Sequence, residues 1–154
     1  MKLDSRIMIV LGLTAVILAS CDNKNEDPSP KEVQLNNLSG TWKISSAKFD
    51  GDDVTTDYSA FELTLSGLAN ADVFAYGVKG RPDLSPWPAG GTWKFGADLN
   101  SDLVRDPATA DELLMDYSVT ATQLTIEFTF NGIGYNGSRV SSSEGNWVYT
   151  FTKK

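Results

Sequence analysis

Apolar and polar residues alternate with a period of two over most of the chain from residue 38 onward. The clearest run is 123–130 (QLTIEFTF), in which every second residue is apolar. Such alternation is typical of an antiparallel strand with one buried and one exposed face. We therefore predict an all-β domain of about eight strands, at roughly 40–49, 58–66, 72–78, 91–96, 101–105, 112–119, 123–130 and 145–152.

The even spacing of these strands and their hairpin-like connections favour an antiparallel up-and-down barrel. A sandwich of two sheets is the alternative that the pattern leaves open. Only the segment 107–115 could hold a helical turn, and its alternation continues into the next strand. An eight-stranded barrel is just wide enough to be filled by side chains or to hold one small ligand.

The lengths of the connections predict which end of the barrel is open. In an up-and-down barrel, alternate connections lie at the same end. The long connections, around 50–57, 79–90, 106–111 and 131–144, then share one rim, and the tighter turns near 67–71, 97–100 and 120–122 share the other. Binding residues usually lie on long loops held by a rigid scaffold, so we expect any ligand site at the long-loop rim.

Aromatic and basic residues are predicted at this rim. Trp87, Tyr135 and Arg139 lie on its loops together with Lys79 and Arg81, and Trp93 and Trp147 begin strands there, while Trp42 would close the opposite base. Aromatic faces with a few charged donors suit a glycan, an amphiphile or a ring-bearing small molecule. The candidate ligand-binding residues are therefore Trp87, Trp93, Tyr135, Arg139 and Trp147. The alternative for Trp93 and Trp147 is a place in the core.

The first twenty residues read as a targeting segment. An apolar run at 7–18 follows Lys2 and Arg6, and it is too short to span a bilayer comfortably. It ends in Leu18-Ala19-Ser20-Cys21, which resembles the lipobox of bacterial lipoproteins. That resemblance implies transfer of a diacylglyceryl group to the Cys21 sulfur and cleavage before Cys21. The alternative is an ordinary signal peptide cut near Ala19.

The segment that follows, 21–37, is polar and carries Pro28 and Pro30. This composition predicts a flexible tether between the lipidated cysteine and a barrel domain at 38–154. Its acidic residues Asp22, Glu26 and Asp27 are similar to the export signals of surface-exposed lipoproteins of Bacteroidota; a plain hydrophilic spacer is the alternative. We expect an outer-membrane lipoprotein at the cell surface or on the periplasmic face.

Three of the four tryptophans follow a glycine by two residues: Gly40-Thr41-Trp42, Gly91-Thr92-Trp93 and Gly145-Asn146-Trp147. The segment 38–42 (LSGTW) resembles the Gly-x-Trp start of lipocalins. The wider pattern, a lipobox followed by three such strands, is similar to uncharacterised lipocalin-like lipoproteins of Bacteroidota. This resemblance implies a calycin-type barrel and no established activity.

Composition excludes much catalytic chemistry. The 154 residues include no histidine and one cysteine, and the formal net charge is −7. Triads that need histidine, histidine-ligated zinc and an intramolecular disulfide are therefore impossible. The negative charge argues against nucleic acid as a partner, because that affinity comes from Lys and Arg. We predict no enzyme activity, no cofactor and no metal, and an enzyme hypothesis would depend on Asp106, Asp111 and Glu112.

Two functions follow from these patterns. The favoured hypothesis is a membrane-anchored, lipocalin-like binding module that holds a small amphiphilic molecule or a glycan at its outward rim. The alternative is a ligand-free accessory lipoprotein that packs against another envelope protein. An exposed apolar patch and a solid interior would favour this alternative.

Overall fold

The computed structural model describes residues 27–132, 134 and 143–154. One helix, α1 (Pro30–Leu38), precedes nine strands. The strands are β1 (Gly40–Phe49), β2 (Asp52–Asp53), β3 (Glu62–Ser66), β4 (Phe74–Lys79), β5 (Gly90–Phe95), β6 (Asp102–Arg105), β7 (Leu113–Val119), β8 (Gln123–Phe130) and β9 (Gly145–Lys153).

The strands form a closed antiparallel barrel. From β3 to β9 each strand pairs with the next, β1 pairs with β3, and β1 also pairs with β9 to close the sheet. The short β2 is an addition to the eight barrel strands and folds back on the end of β1. The predicted all-β up-and-down barrel is therefore confirmed, and the sandwich alternative is wrong.

Side chains fill the interior of the barrel. Along β8, Leu124, Ile126 and Phe128 are buried, as the alternation predicts. Aromatic rings occupy the centre: Tyr149 lies 5.6 Å from Phe61 and 5.7 Å from Phe128 between ring centroids. Because these rings pack against one another, the middle of the barrel is a solid core.

Helix α1 corrects the predicted tether. The tether prediction is wrong for residues 30–37, which are helical and lie against the base of the barrel. Ser29 caps the helix in a capping box with Glu32, and Pro30 occupies the first turn, where a missing amide hydrogen has no cost. Leu35 and Leu38 are buried, and the Trp42 indole donates a hydrogen bond to the Leu38 carbonyl oxygen at 2.7 Å. The burial of two leucines and the Ser29 cap thus stabilise a helix in a segment whose polar composition favours a flexible chain.

The amino-terminal predictions fall outside the described residues. The signal peptide at 1–20 and the lipidation site Cys21 both lie before residue 27, so they stay predictions. Within the described part of the chain, α1 is neither long enough nor apolar enough to cross a bilayer.

Candidate functional site

The two ends of the barrel differ as the connection lengths predict. The base carries α1 and the short turns, and Trp42 closes it with the Lys153 ammonium 5.0 Å from the centre of its ring. The rim carries the β1–β3, β4–β5, β6–β7 and β8–β9 connections. A ligand site is therefore expected at the rim, which carries the long connections.

Trp87 does not lie exposed on this rim. The β4–β5 loop folds into the mouth of the barrel and places Trp87 in the core, with 1% of its surface exposed. Its ring meets Tyr76 at 5.7 Å and Phe128 at 6.0 Å between centroids, both edge to face. The expectation that Trp87 offers its face to a ligand is corrected by this packing: the ring is a plug below the mouth.

Two arginines hold the plug in place. Arg81 donates a hydrogen bond from Nη1 to the Trp87 carbonyl oxygen at 2.9 Å. Arg105 donates one to the Pro86 carbonyl oxygen at 2.8 Å, and its guanidinium lies 5.3 Å from the centre of the Trp87 ring. A buried arginine beside an indole stabilises the loop through both hydrogen bonding and a cation–π contact.

Arg105 belongs to a buried polar network. Its Nε lies 3.4 Å from Asp106 Oδ2, which also accepts a hydrogen bond from the Tyr76 hydroxyl at 2.7 Å. Asp106 Oδ1 accepts a third contact, from the Thr92 amide at 3.0 Å. Sequence reasoning missed Arg105, although its place two residues after Leu103 in β6 puts both on the inward face. Asp106, one of the acids named for an enzyme hypothesis, is thus engaged in a structural network.

Trp93 lies far from the rim. It is 1% exposed, and its ring centroid is 4.7 Å from that of Phe74 and 5.3 Å from that of Phe95. Phe74 begins β4 at the base, where the Lys31 ammonium of α1 lies 5.5 Å from its ring. The rim placement of Trp93 is therefore wrong, and the alternative of a core residue describes it.

Trp147 does lie at the rim, beside a cavity of about 350 Å³. Apolar side chains from three rim segments line this space: Phe49, Val54, Tyr58, Leu84 and Trp147. Trp147 is 5% exposed and its indole donates a hydrogen bond to the Ser143 carbonyl oxygen at 2.8 Å, which fixes the ring. We call this space the rim cavity. The other two candidates, Tyr135 and Arg139, lie outside the described residues.

Burial raises the pKa of two tyrosines at this end of the barrel. The pKa of Tyr58 is raised above its ordinary value of 10.0, mainly because burial penalises the phenolate. Burial raises the pKa of Tyr149, beneath the cavity, well above the same value. The raised pKa of Tyr58 therefore keeps its phenol uncharged to a more alkaline pH than that of an exposed tyrosine.

Glu112, also named for an enzyme hypothesis, and two other acidic residues serve local structure. Glu112 accepts a hydrogen bond from the Ala108 amide at 2.6 Å, and Asp50 accepts one from the Asn146 amide at 2.8 Å. Asp98 accepts one from the Asn100 amide at 2.8 Å in a turn. Within residues 27–132, 134 and 143–154, no group of three or more acidic side chains is placed to hold a metal ion.

No protein-family model, no curated protein and no solved structure is significantly similar to this chain.

Proposed function

We propose that this protein is a lipid-anchored lipoprotein of the outer membrane whose barrel is a non-catalytic binding module for a small molecule. The observation that carries the proposal is the rim cavity, an aromatic-lined space at the long-loop end of a barrel whose interior is otherwise filled. The similarity of the Leu-x-Gly-x-Trp and lipobox residues to those of lipocalin-like lipoproteins of Bacteroidota supports the lipid anchor and the calycin-type barrel.

The cavity limits the size of the ligand. A volume of about 350 Å³ is near the lower end of the range for small-molecule sites, about 300–1,000 Å³. Trp87 occupies the space below, so the ligand would lie in the mouth and not in the barrel centre. A single ring or a short amphiphile fits such a site, whereas a long acyl chain would need the space that Trp87 fills.

The anchor sets the orientation of the site. Because α1 packs on the base, only residues 22–29 remain between Cys21 and the folded body, a reach of roughly 25 Å when extended. The base would therefore stay close to the membrane, and the rim cavity would face away from it. A lipid attached to Cys21 would supply the membrane affinity, since the formal charge of −7 opposes binding to an anionic surface.

Ligand binding is tested by tryptophan fluorescence of the purified protein, titrated with ring-bearing amphiphiles and mono- and disaccharides. We expect at least one class to give a saturable change, because Trp147 lines the cavity. Val54→Phe adds a ring inside the cavity and should weaken that binding about tenfold or more. Thr56→Phe adds the same ring to the same loop outside the cavity and should leave it unchanged. Equal binding by both variants, or no response to the panel, would contradict the proposed site.

The anchor is tested in cells by labelling with a radioactive fatty acid, followed by separation of membranes. We expect the wild-type protein to incorporate label and to remain with the outer membrane. Cys21→Ser removes the sulfur that would carry the lipid and should abolish the label and the membrane association. Ser20→Ala keeps a small residue before the cysteine and serves as the control. Labelling of Cys21→Ser at the wild-type level would refute the anchor.

A second candidate function has one observation in its favour. The barrel interior is solid, and Leu114, 61% accessible, lines a groove that Val148 also lines. Both features suit an accessory lipoprotein that packs against another envelope protein. A protein that binds no small molecule in the titration above would favour this function.

A further inference from the structure

Among the described residues, the charged side chains that line the rim cavity are both acidic. Asp57 on the β2–β3 loop and Asp83 on the β4–β5 loop both line the cavity and are exposed. No lysine or arginine is found among the described residues that line it. Two carboxylates from separate loops thus line one largely apolar space.

Three aromatic rings line the same cavity as these carboxylates. Phe49 and Trp147 lie 4.6 Å apart and Tyr58 and Trp147 lie 5.7 Å apart between ring centroids. The negative face of an aromatic ring attracts an ammonium group, most strongly on Trp and Tyr. Rings and carboxylates therefore favour the same sign of ligand charge.

Of the basic side chains expected at the rim, the two that the structure describes do not oppose this preference. Arg81 is directed to the Trp87 carbonyl oxygen, and Lys79 is not part of the cavity lining. The formal charge of −7 for the whole chain also attracts cations and repels anions over longer distances. Both the two cavity carboxylates and the negative net charge would repel a ligand that carries a carboxylate or a phosphate.

We propose that the rim cavity binds an organic cation, a primary or methylated ammonium group carried on a small ring or short apolar body. The apolar body lies against Trp147 and Tyr58, and the ammonium group lies at the mouth near Asp57 and Asp83. This inference rests on the proposed binding function and adds the chemical class of its ligand.

The test uses three probes that share one ring and differ in charge: 2-phenylethylamine, 2-phenylethanol and phenylacetate, which are cationic, neutral and anionic at pH 7. Binding to the purified protein is followed by tryptophan fluorescence and by calorimetry. We expect the amine to bind about tenfold more tightly than the alcohol, since two exposed carboxylates and a cation–π contact each add a modest attraction. Phenylacetate should bind most weakly.

Variants identify the groups responsible. The double variant Asp57→Asn and Asp83→Asn should bind the amine and the alcohol about equally, with alcohol binding unchanged. The control double variant Asp111→Asn and Asp116→Asn removes the same charge from exposed positions outside the rim cavity and should keep most of the preference. Added salt should weaken amine binding and leave alcohol binding unaffected.

The outcomes separate the two proposals. Equal binding of amine and alcohol to the wild-type protein would overturn the cation preference and leave the binding function standing. A preference that survives loss of both cavity carboxylates would overturn the role of Asp57 and Asp83. Failure of all three probes, while another member of the earlier panel still gives a saturable change, would overturn the organic-cation inference alone. Failure of that panel as well would contradict the binding function.

Discussion

Replacing Trp87 with alanine is expected to lower the free energy of unfolding by about 4 kcal/mol, a value typical of the loss of a large aromatic side chain from a close-packed core. The ring is 1% exposed and packs among Phe61, Tyr76, Phe128 and Tyr149. Its removal would leave a void in the centre of the barrel and would also end the cation–π contact with Arg105. Urea denaturation followed by far-ultraviolet circular dichroism measures the change.

Trp87→Phe is the matched control. The indole nitrogen of Trp87 has no hydrogen-bond partner among the described residues, so phenylalanine loses volume but no hydrogen bond. We expect a loss of about 1–2 kcal/mol for this variant. If Trp87→Ala had the stability of the wild-type protein, the plug would not be part of the core, and Trp87 would return as a candidate ligand contact.

Replacing Asp106 with alanine is expected to destabilise the protein by about 3 kcal/mol, because it leaves the buried Arg105 without its carboxylate. The same change removes the acceptor of the Tyr76 hydroxyl and of the Thr92 amide. Asp106 also adopts a φ of 48°, a left-handed conformation that alanine disfavours. The free energy of unfolding from urea titration at pH 7 is the measurement.

Two variants separate these causes. Asp106→Asn keeps an acceptor oxygen and tolerates the left-handed conformation, so its smaller loss reports mainly the missing charge. Asp111→Ala removes an exposed carboxylate from the same loop and should change stability by less than about 0.5 kcal/mol. Equal stability of Asp106→Ala and the wild-type protein would show that the buried network contributes nothing.

The sequence alone predicts the barrel because its strands are half-buried. In β8, Leu124, Ile126 and Phe128 face inward while Glu127 and Thr129 face the solvent, so the local pattern already contains the tertiary arrangement. The end that carries the long loops follows from the same strand count. These features need no knowledge of which side chains meet.

The candidate site is harder to predict, because it depends on where loops and side chains lie in three dimensions. Trp87 stands between Pro86 and Pro88, which indicates a loop but not that the loop turns inward. Trp93 follows Gly91 as Trp147 follows Gly145, yet the pairing of Trp93 with Phe74 places it at the base. The register between strands sets how far Trp93 lies from the rim, and no local sequence pattern encodes that register.

The short helix was missed for a different reason. Its signals, a Ser29 cap and apolar residues at 35 and 38, are present in the sequence but occupy only about two turns. Isolated helices of that length are marginal in water, so composition alone favours a flexible segment. Contact with the base of the barrel supplies the missing stability.

The seam between β1 and β9 is the pairing of barrel strands that are farthest apart in the sequence. It joins residues at opposite ends of the described chain, Trp42 opposite Lys153, while the other pairings between barrel strands join neighbours in sequence. A chain that has formed every hairpin up to β8 still has two open edges, on β1 and β8, and each can pair with another molecule. Because closing such a distant contact is slow, these two edges stay open to pairing with another molecule until β9 is in place. Pairing of β9 with β1 and β8 therefore removes the open edges through which the protein can aggregate.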